Sequence, residues 1–193
     1  ANERDESWPI VLAGGSCTYN PEPMADFVDL FVLGDGEEVL LELVRLYASQ
    51  RAAPGYNKAE FLRRAALLRG VYVPSLYRVT YHDDGRVASI EPTDKHAPAV
   101  VEKRIVKVLP LPPARPVVPY LEVIHDRVAV ETMRGCSRGC RFCQAGMVYR
   151  PVRERPVAEV LEAVDRQLAA TGHEEVSLVS LSSTDYSGIR PLL

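Results

Sequence analysis

The chain has 193 residues, of which 47% are apolar and 25% charged, and its formal net charge is −3. This composition is ordinary for a globular protein with a buried core, and so small a net charge does not by itself point to a nucleic acid or an acidic surface as a partner. The sequence contains no run of about 18 apolar residues, which a membrane span would need. It also does not begin with a basic stretch followed by an apolar one, as a secretion signal does. We therefore expect no membrane association and a reducing, cytoplasmic location.

The first part of the chain predicts two short apolar strands and a helix. Residues 8–15 form an apolar stretch that ends at Gly14 and Gly15, and residues 26–36 form a second one that ends in Gly-Asp-Gly. A helix is predicted over residues 37–50. We expect the two strands and this helix to belong to an open α/β sheet that has more strands. The predicted buried stripe of this helix comprises Val39, Leu40, Leu43, Leu46 and Tyr47.

The middle of the chain predicts a connection with little core of its own. A short helix is predicted after Asn57, whose side chain is suited to accept an N-cap hydrogen bond. An alternating apolar pattern on both sides of Asp84 and Gly85 predicts a β-hairpin. The proline-rich segment, residues 110–119, contains five prolines and predicts a stiff, extended linker.

The last part of the chain predicts a βαβ unit. Residues 127–133 and 175–183 form apolar strands, and between them a helix is predicted from Pro156 to Gly172. Such a unit implies parallel strands with a right-handed crossover. The predicted buried stripe of the helix comprises Val157, Val160, Leu161, Val164 and Leu168.

Three of the four cysteines lie between the first strand and the helix of this unit, in the cysteine loop, residues 134–155. The spacing of Cys136, Cys140 and Cys143 gives three soft thiolate ligands, which suit zinc or an iron–sulfur cluster. A closed zinc site takes four ligands, and the fourth cysteine, Cys17, lies far upstream. We expect Cys17 to be partly buried, and the alternative is that it lies near a bound cobalt or another thiol. Three thiolates suit a 4Fe–4S cluster with one iron left open.

The stretch Cys-Ser-Arg-Gly-Cys-Arg-Phe-Cys after a strand resembles the signature of radical S-adenosylmethionine (SAM) enzymes. The resemblance implies that Cys136, Cys140 and Cys143 hold a 4Fe–4S cluster, whose open iron chelates the amino and carboxylate groups of SAM. It further implies that Phe142 lines the adenine side and that an electron donor such as flavodoxin or ferredoxin reduces the cluster. Cleavage of SAM would then give a 5′-deoxyadenosyl radical, with the protein supplying orientation and shelter.

The stretch after the second strand departs from the family pattern. Many family members carry a Gly-Gly-Glu-like stretch there that meets the amino group of SAM, whereas this chain has Ser182, Ser183 and Thr184, with Asp185 as the nearest carboxylate. Hydroxyl groups also accept hydrogen bonds from an ammonium, so the resemblance implies that the three residues position SAM. The alternative is a strand-end turn capped by serine and aspartate.

The region around the cysteine loop is basic. Residues 127–155 contain seven arginines and two glutamates. The arginines are expected either to balance an anionic thiolate cluster or to bind an anion, such as the SAM carboxylate, a corrin phosphate tail or a nucleic acid. Phe142 and Tyr149 are the aromatic residues available for stacking on bases.

Residues 11–40 resemble the C-terminal half of the cobalamin-binding Rossmann-like domain that precedes the barrel in one large radical SAM subgroup. The matching features are Gly-Gly, an Asn-Pro-Glu-Pro loop, an apolar strand and Gly-Asp-Gly-Glu. The resemblance implies that Gly14 and Gly15, which lack a Cβ, let a corrin approach closely, and that Ser16 and Thr18 reach its lower face or tail. Within this subgroup the chain resembles uncharacterised cobalamin-binding-domain radical SAM proteins. The alternative is an α/β segment that binds no ligand.

We therefore predict an α/β chain in three parts. Residues 1–50 are a partial cobalamin-binding Rossmann-like domain, residues 51–126 a linker region with a short helix and a β-hairpin, and residues 127–193 the first βαβ unit of a radical SAM (β/α) barrel. Because a barrel needs at least about 200 residues, we expect a segment of a larger enzyme that has no turnover by itself.

The predicted function is reductive cleavage of SAM, with cobalamin-dependent methyl transfer or related radical chemistry. Two alternatives remain open, a methylthiotransferase-like RNA modifier without cobalamin and a zinc-stabilised module without enzymatic activity. The sequence does not identify the substrate, and nucleic acid is one candidate.

Overall fold

In a computed structural model, which describes residues 4–5, 7–121 and 123–193, the chain forms two compact units, Ala1–Val106 and Lys107–Leu193. The first unit contains a three-stranded sheet in the order β1, β2, β3. Strand β1 (Leu12–Ala13) is parallel to β2 (Leu30–Val32), and β3 (Val71–Tyr72) is antiparallel to β2. The two strands predicted from the first part of the sequence are therefore present and adjacent.

Two helices cover this sheet, α1 (Val39–Ala52) and α2 (Lys58–Ala65). Helix α2 begins where the sequence predicts, because Oδ1 of Asn57 accepts a 2.8 Å hydrogen bond from the backbone N–H of Glu60. One cluster of buried residues from the strands, both helices and the chain beyond them forms the core of the unit. It comprises Leu30, Val32, Val39, Leu43, Phe61, Leu62, Ala65, Ala66, Val71, Val73, Leu76 and Ala97.

The predicted hairpin is also confirmed. Strands β4 (Tyr77–Tyr81) and β5 (Val87–Pro92) pair antiparallel. The turn between them contains Gly85 at φ +82°, in the left-handed region that favours glycine.

The second unit contains the predicted βαβ arrangement. Strand β6 (Val128–Glu131) pairs in parallel with β9 (Val176–Val179), and helix α4 (Val157–Thr171) connects them. Helix α4 ends at Gly172, which has φ +76° and closes the helix through a hydrogen bond from its N–H to the carbonyl of Leu168. The core of the unit comprises Val128, Val130, Val160 and Ala163.

Four short elements complete the second unit. Strands β7 (Met133–Arg134) and β8 (Arg153–Glu154) pair antiparallel and bring the two ends of the cysteine loop together. The four-residue helix α3 (Ala145–Val148) lies within the loop, and α5 (Ile189–Leu192) follows β9.

The proline-rich segment lies against the second unit through its backbone carbonyls. The guanidinium of Arg155, which is only 2% exposed, donates to the carbonyls of Leu109 at 3.4 Å and Pro110 at 2.8 Å. The side-chain amide of the buried Gln167 donates to the carbonyl of Pro113 at 3.0 Å. The segment expected to be a linker is therefore fixed to α4 and to Arg155, two residues before α4 begins.

Two predicted core residues are on the surface instead. Leu40 of α1 is 48% exposed and Leu161 of α4 is 47% exposed, although Val39 and Val160 beside them are fully buried. Because successive helical residues are rotated by about 100°, the buried face in each helix includes the valine and leaves out the leucine that follows it.

The overall class is mixed α/β, as predicted. A complete barrel, a Rossmann-like cobalamin domain and the three-part division at residues 50/51 and 126/127 stay predictions. Within the described part of the chain, no helix combines the length and apolar character that crossing a bilayer would take.

Candidate functional site

The three clustered cysteines lie on one turn-rich stretch that begins directly after β7. Cys136 and Cys143 are half-buried and Cys140 is exposed, and all three are free thiols. The backbone N–H of Cys143 donates to the carbonyl of Cys140 at 3.0 Å, which closes a turn between the last two cysteines. The sequence spacing thus produces a short loop with thiols at the surface.

Gly135 fixes the entry to this loop. Its φ is +92°, and a Cβ on this residue would lie 2.8 Å from the carbonyl oxygens of both Tyr149 and Pro151. That separation is shorter than a Cβ can tolerate, so a side chain is excluded by the left-handed backbone and by the close approach of the returning chain. The residue before Cys136 is therefore held against the exit of the loop.

Arg138, between the first two cysteines, pairs with Asp185 from the turn after β9. Its Nε donates to Oδ2 of Asp185 at 2.5 Å and its Nη2 donates to Oδ1, so the pair is bidentate. The hydroxyl of Ser182 donates to the same carboxylate at 2.7 Å. The hydrogen bonds from Arg138 and then from Ser182 lower the pKa of Asp185. The same ion pair raises the pKa of Arg138, and the charges of Cys136 and Cys140 add to this rise.

The two residues after Asp185 also contact the cysteine loop. The buried hydroxyl of Tyr186 donates to the carbonyl of Arg155 at 2.6 Å, and burial raises the pKa of Tyr186. The backbone N–H of Ser187 donates to Oε1 of Glu154 at 2.9 Å. We call these contacts of residues 185–187 with Arg138, Glu154 and Arg155 the clasp. It joins the loop after β6 to the turn after β9.

The predicted SAM-positioning residues lie at this junction. Ser182 and Ser183 are half-buried and Thr184 is exposed, and the hydroxyl of Ser183 lies 2.9 Å from that of Ser180. Phe142 is 93% exposed, so its ring is available on the loop surface. The positions are compatible with the predicted roles of these residues, and the roles themselves stay predictions.

Most arginines around the cysteine loop have partners within the unit. Arg134 forms a bidentate pair with Glu131, with N–O distances of 2.9 and 3.0 Å. Arg150 donates to the carbonyl of Gly146, and Arg153 to backbone carbonyls of the loop. These contacts favour the structural interpretation of the basic composition, since the guanidinium groups hold the loop together.

The predicted corrin-facing residues lie in the first unit. Gly14, Gly15 and Ser16 are exposed, and a Cβ on either glycine would have no atom within 4 Å. Thr18, in contrast, is buried, and its hydroxyl contacts the carbonyls of Gly15 and Val32 at 2.7 and 3.0 Å. The expectation that Thr18 reaches a ligand is therefore wrong, because its hydroxyl joins two backbone segments.

Cys17 is exposed, so the expectation that it is partly buried is wrong as well. The 3-10 turn over Ser16–Tyr19 buries the next residue, Thr18, and turns the thiol outwards.

The three thiols of the loop supply the soft donors that an iron–sulfur cluster takes. Among residues 4–5, 7–121 and 123–193, no group of three or more His, Cys, Asp or Glu side chains converges as one bound ion requires. A 4Fe–4S cluster requires a different arrangement, because each thiolate binds a separate iron atom. Three soft donors on one loop, with an exposed central cysteine, therefore suit a cluster with one open iron.

Two family models match the chain, one in each unit. Residues 1–74 match the family described as radical SAM proteins, N-terminal, and residues 130–192 match the radical SAM superfamily. The second match covers the end of β6, the cysteine loop, α4, β9 and the clasp. Both segments are therefore similar to radical SAM proteins, which agrees with the class of enzyme that the cysteine loop predicts.

Curated relatives include two methylthiotransferase enzymes and one uncharacterized protein. A tRNA-2-methylthio-N(6)-dimethylallyladenosine synthase of Chlorobium phaeobacteroides is 40% identical over 30% of this chain and 13% of its own length. A ribosomal protein uS12 methylthiotransferase of Desulfotalea psychrophila is 37% identical over 31% of this chain and 13% of its own length. An uncharacterized protein of Methanocaldococcus jannaschii is 26% identical over 93% of this chain and 33% of its own length. The chain spans a third or less of these relatives, and no solved structure matches it.

The sequence interpretation missed the clasp. Arg138 was counted only as part of a basic loop, and Glu154 and Tyr186 carried no recognisable motif. The position of Arg138 between two cysteines was an available signal, but Asp185 is 47 residues away in sequence and gave no indication of this partner.

Proposed function

We propose that the protein binds a 4Fe–4S cluster through Cys136, Cys140 and Cys143 and uses it to cleave SAM reductively. The observation that carries this proposal is the location of three free thiols on a loop after β6 that the clasp joins to the turn after β9. Catalytic groups on parallel α/β folds occupy such loops at the carboxyl ends of the strands. When bound and reduced, the cluster supplies the electron that breaks the sulfonium bond of SAM.

The surrounding side chains would orient SAM. Ser182, Ser183 and Thr184 present hydroxyl groups on the turn after β9, which suits hydrogen bonds from the SAM ammonium group. Phe142, on the loop surface, would pack against the adenine. A flavodoxin or ferredoxin is the proposed electron donor, and the cytoplasmic location stays a prediction.

Anaerobic reconstitution with iron and sulfide tests this proposal. In the full-length wild-type protein we expect about four irons per chain and cluster absorbance, with 5′-deoxyadenosine formed from SAM and dithionite. Cys140→Ala should lose both the cluster absorbance and this product. Cys17→Ala is the matched control, because Cys17 is also an exposed free thiol but lies in the first unit. Equal cluster content in the two variants would overturn the assignment of Cys140.

Cobalamin binding is proposed for the first unit on narrower grounds. Exposed Gly14, Gly15 and Ser16 leave open space in which a flat corrin can approach the backbone. With a corrin bound, the reaction would be methyl transfer or related radical chemistry. Corrin absorbance retained after incubation with hydroxocobalamin and gel filtration tests this part. Gly15→Leu should abolish retention, whereas Gly55→Leu, another left-handed glycine with open space around it, should not.

Two of the relatives favour a second candidate function. One is a tRNA methylthio-adenosine synthase and the other a ribosomal protein methylthiotransferase. The present protein would then add a methylthio group to a nucleic acid or protein substrate without cobalamin. Mass spectrometry of tRNA and ribosomal proteins from cells with and without the gene distinguishes the candidates, since methylthiolation adds sulfur to the product and methyl transfer does not.

A further inference from the structure

The ion pair with Asp185 fixes the side chain of Arg138, a residue that lies between the first two cysteines of the loop in sequence. Arg138 lies two residues from both Cys136 and Cys140, and its side chain is 63% exposed. A side chain so exposed would ordinarily sample many positions in solvent. Two parallel hydrogen bonds to Asp185 instead fix both the position and the plane of the guanidinium.

Asp185 is itself well held. Its side chain is 20% exposed, it accepts the hydroxyl of Ser182 at 2.7 Å, and the next residue, Tyr186, is buried and bonded to the carbonyl of Arg155. The carboxylate therefore belongs to a rigid part of the unit, while Arg138 belongs to the loop that carries the thiols. Asp185 therefore positions Arg138, and not the reverse.

We propose that Asp185 is a positioning residue that holds the Arg138 guanidinium beside the cluster thiolates, and that this ion pair sets the reduction potential of the cluster. The inference rests on the proposed function, since it requires a cluster at Cys136, Cys140 and Cys143. Reduction adds a negative charge to the cluster, so a nearby cation makes reduction easier and a nearby anion makes it harder. Arg138 and Asp185 act on the potential in opposite senses.

The midpoint potential of the cluster, measured by anaerobic dye-mediated titration with electron paramagnetic resonance, tests this inference. Arg138→Gln removes the cation and should shift the potential to a more negative value. Asp185→Asn removes the anion but keeps an amide oxygen that accepts a hydrogen bond from Arg138, so the guanidinium stays in place and the potential should shift to a more positive value. Asp185→Ala releases the guanidinium and should shift the potential to a more negative value, as Arg138→Gln does. The double variant of Arg138→Gln and Asp185→Asn should lie between these two single variants. Arg166→Gln, which breaks an exposed pair with Glu162 on α4, is the matched control and should not shift the potential.

The outcomes separate an electrostatic role from a merely structural one. Shifts of the same sign in Arg138→Gln and Asp185→Asn, or no shift in either of these two variants, would overturn the inference, because loosening the loop affects both of them alike. Loss of iron from both variants with unchanged circular dichroism would show that the ion pair only holds the loop in shape for cluster binding. This result would also overturn the inference. Absence of a cluster in the wild type is a different result, since it removes the proposed function itself.

Discussion

The hydroxyl of Tyr186 donates a 2.6 Å hydrogen bond to the backbone carbonyl of Arg155, and both residues are only 2% exposed. The two residues lie on different sides of α4 in sequence, so this bond joins the turn after β9 to the end of the cysteine loop. Its donor is a single phenolic hydroxyl that can be removed with little change in shape.

Tyr186→Phe should therefore destabilise the protein by about 1–3 kcal/mol, because the buried carbonyl of Arg155 loses this donor. Urea denaturation monitored by circular dichroism measures the change in the free energy of unfolding. Tyr120→Phe is the control, since Tyr120 is fully exposed and its change should stay within about 0.5 kcal/mol. Equal effects of the two substitutions would contradict a stabilising role of the Tyr186 hydroxyl.

Gly135→Ala should damage the cysteine loop. The substitution combines left-handed strain with a clash against the carbonyls of Tyr149 and Pro151, and we expect a cost of about 2–5 kcal/mol. Gly172→Ala shares the positive φ but meets no atom within 4 Å, so it should cost only about 1 kcal/mol. Thermal denaturation and iron content after reconstitution should both separate the two variants. A similar loss of iron in both would rule out crowding at Gly135 as the cause.

Arg155→Met should release the proline-rich segment. The buried guanidinium donates to the carbonyls of Leu109 and Pro110, and the loss should cost about 3 kcal/mol, the scale of hydrogen bonds to a charged group. Thermolysin digestion mapped by mass spectrometry should then show faster cleavage at residues 107–119. Arg166→Met, at an exposed pair on α4, should change the stability by less than about 0.5 kcal/mol and leave the cleavage unchanged. No difference in the cleavage pattern between the two variants would mean that Arg155 does not hold the segment.

Asp94 should make the first unit sensitive to acid. Hydrogen bonds from the backbone N–H and ring of His96, and then from Arg63, hold the pKa of Asp94 well below its usual range. A lowered pKa in the folded state stabilises the protein above the ordinary aspartate pKa of about 3.9, and this contribution is lost as the pH falls below that value. Asp94→Asn should accordingly lose less stability between about pH 6 and pH 3 than the wild type does.

Urea midpoints at both pH values measure this difference. Asp83→Asn is the control, since it removes an exposed carboxylate from the nearby hairpin turn. An Asp94→Asn variant with the same acid sensitivity as the wild type would show that the hydrogen bonds to Asp94 do not contribute.

The local elements follow from the sequence because their signals are local. Asn57 caps α2, Gly172 closes α4 and Gly85 turns the hairpin, each through hydrogen bonds or backbone angles within a few residues. The cysteine spacing is local in the same sense. For this reason the elements and the three thiols could be predicted together.

Contacts distant in sequence decide that Leu40 and Leu161 are exposed. Such contacts also decide which acid pairs with Arg138. A helical stripe is wide enough to include either neighbour of its central residue, and only the packed elements decide which one is buried. Likewise seven arginines and several acids allow many pairs, and charge alone does not select the one between Arg138 and Asp185. The buried residue of each helix and the acidic partner of Arg138 are therefore known only from the tertiary structure.

The contacts that fix the proline-rich segment all end on backbone carbonyls, namely those of Leu109, Pro110 and Pro113. Every residue type has a carbonyl, and a proline has no N–H to donate. Arg155 and Gln167 thus recognise the path of the segment and not the identity of its side chains. These three contacts depend on the two donor side chains and on the path of the backbone that accepts from them, and the contacts themselves place no demand on which side chains the accepting residues carry.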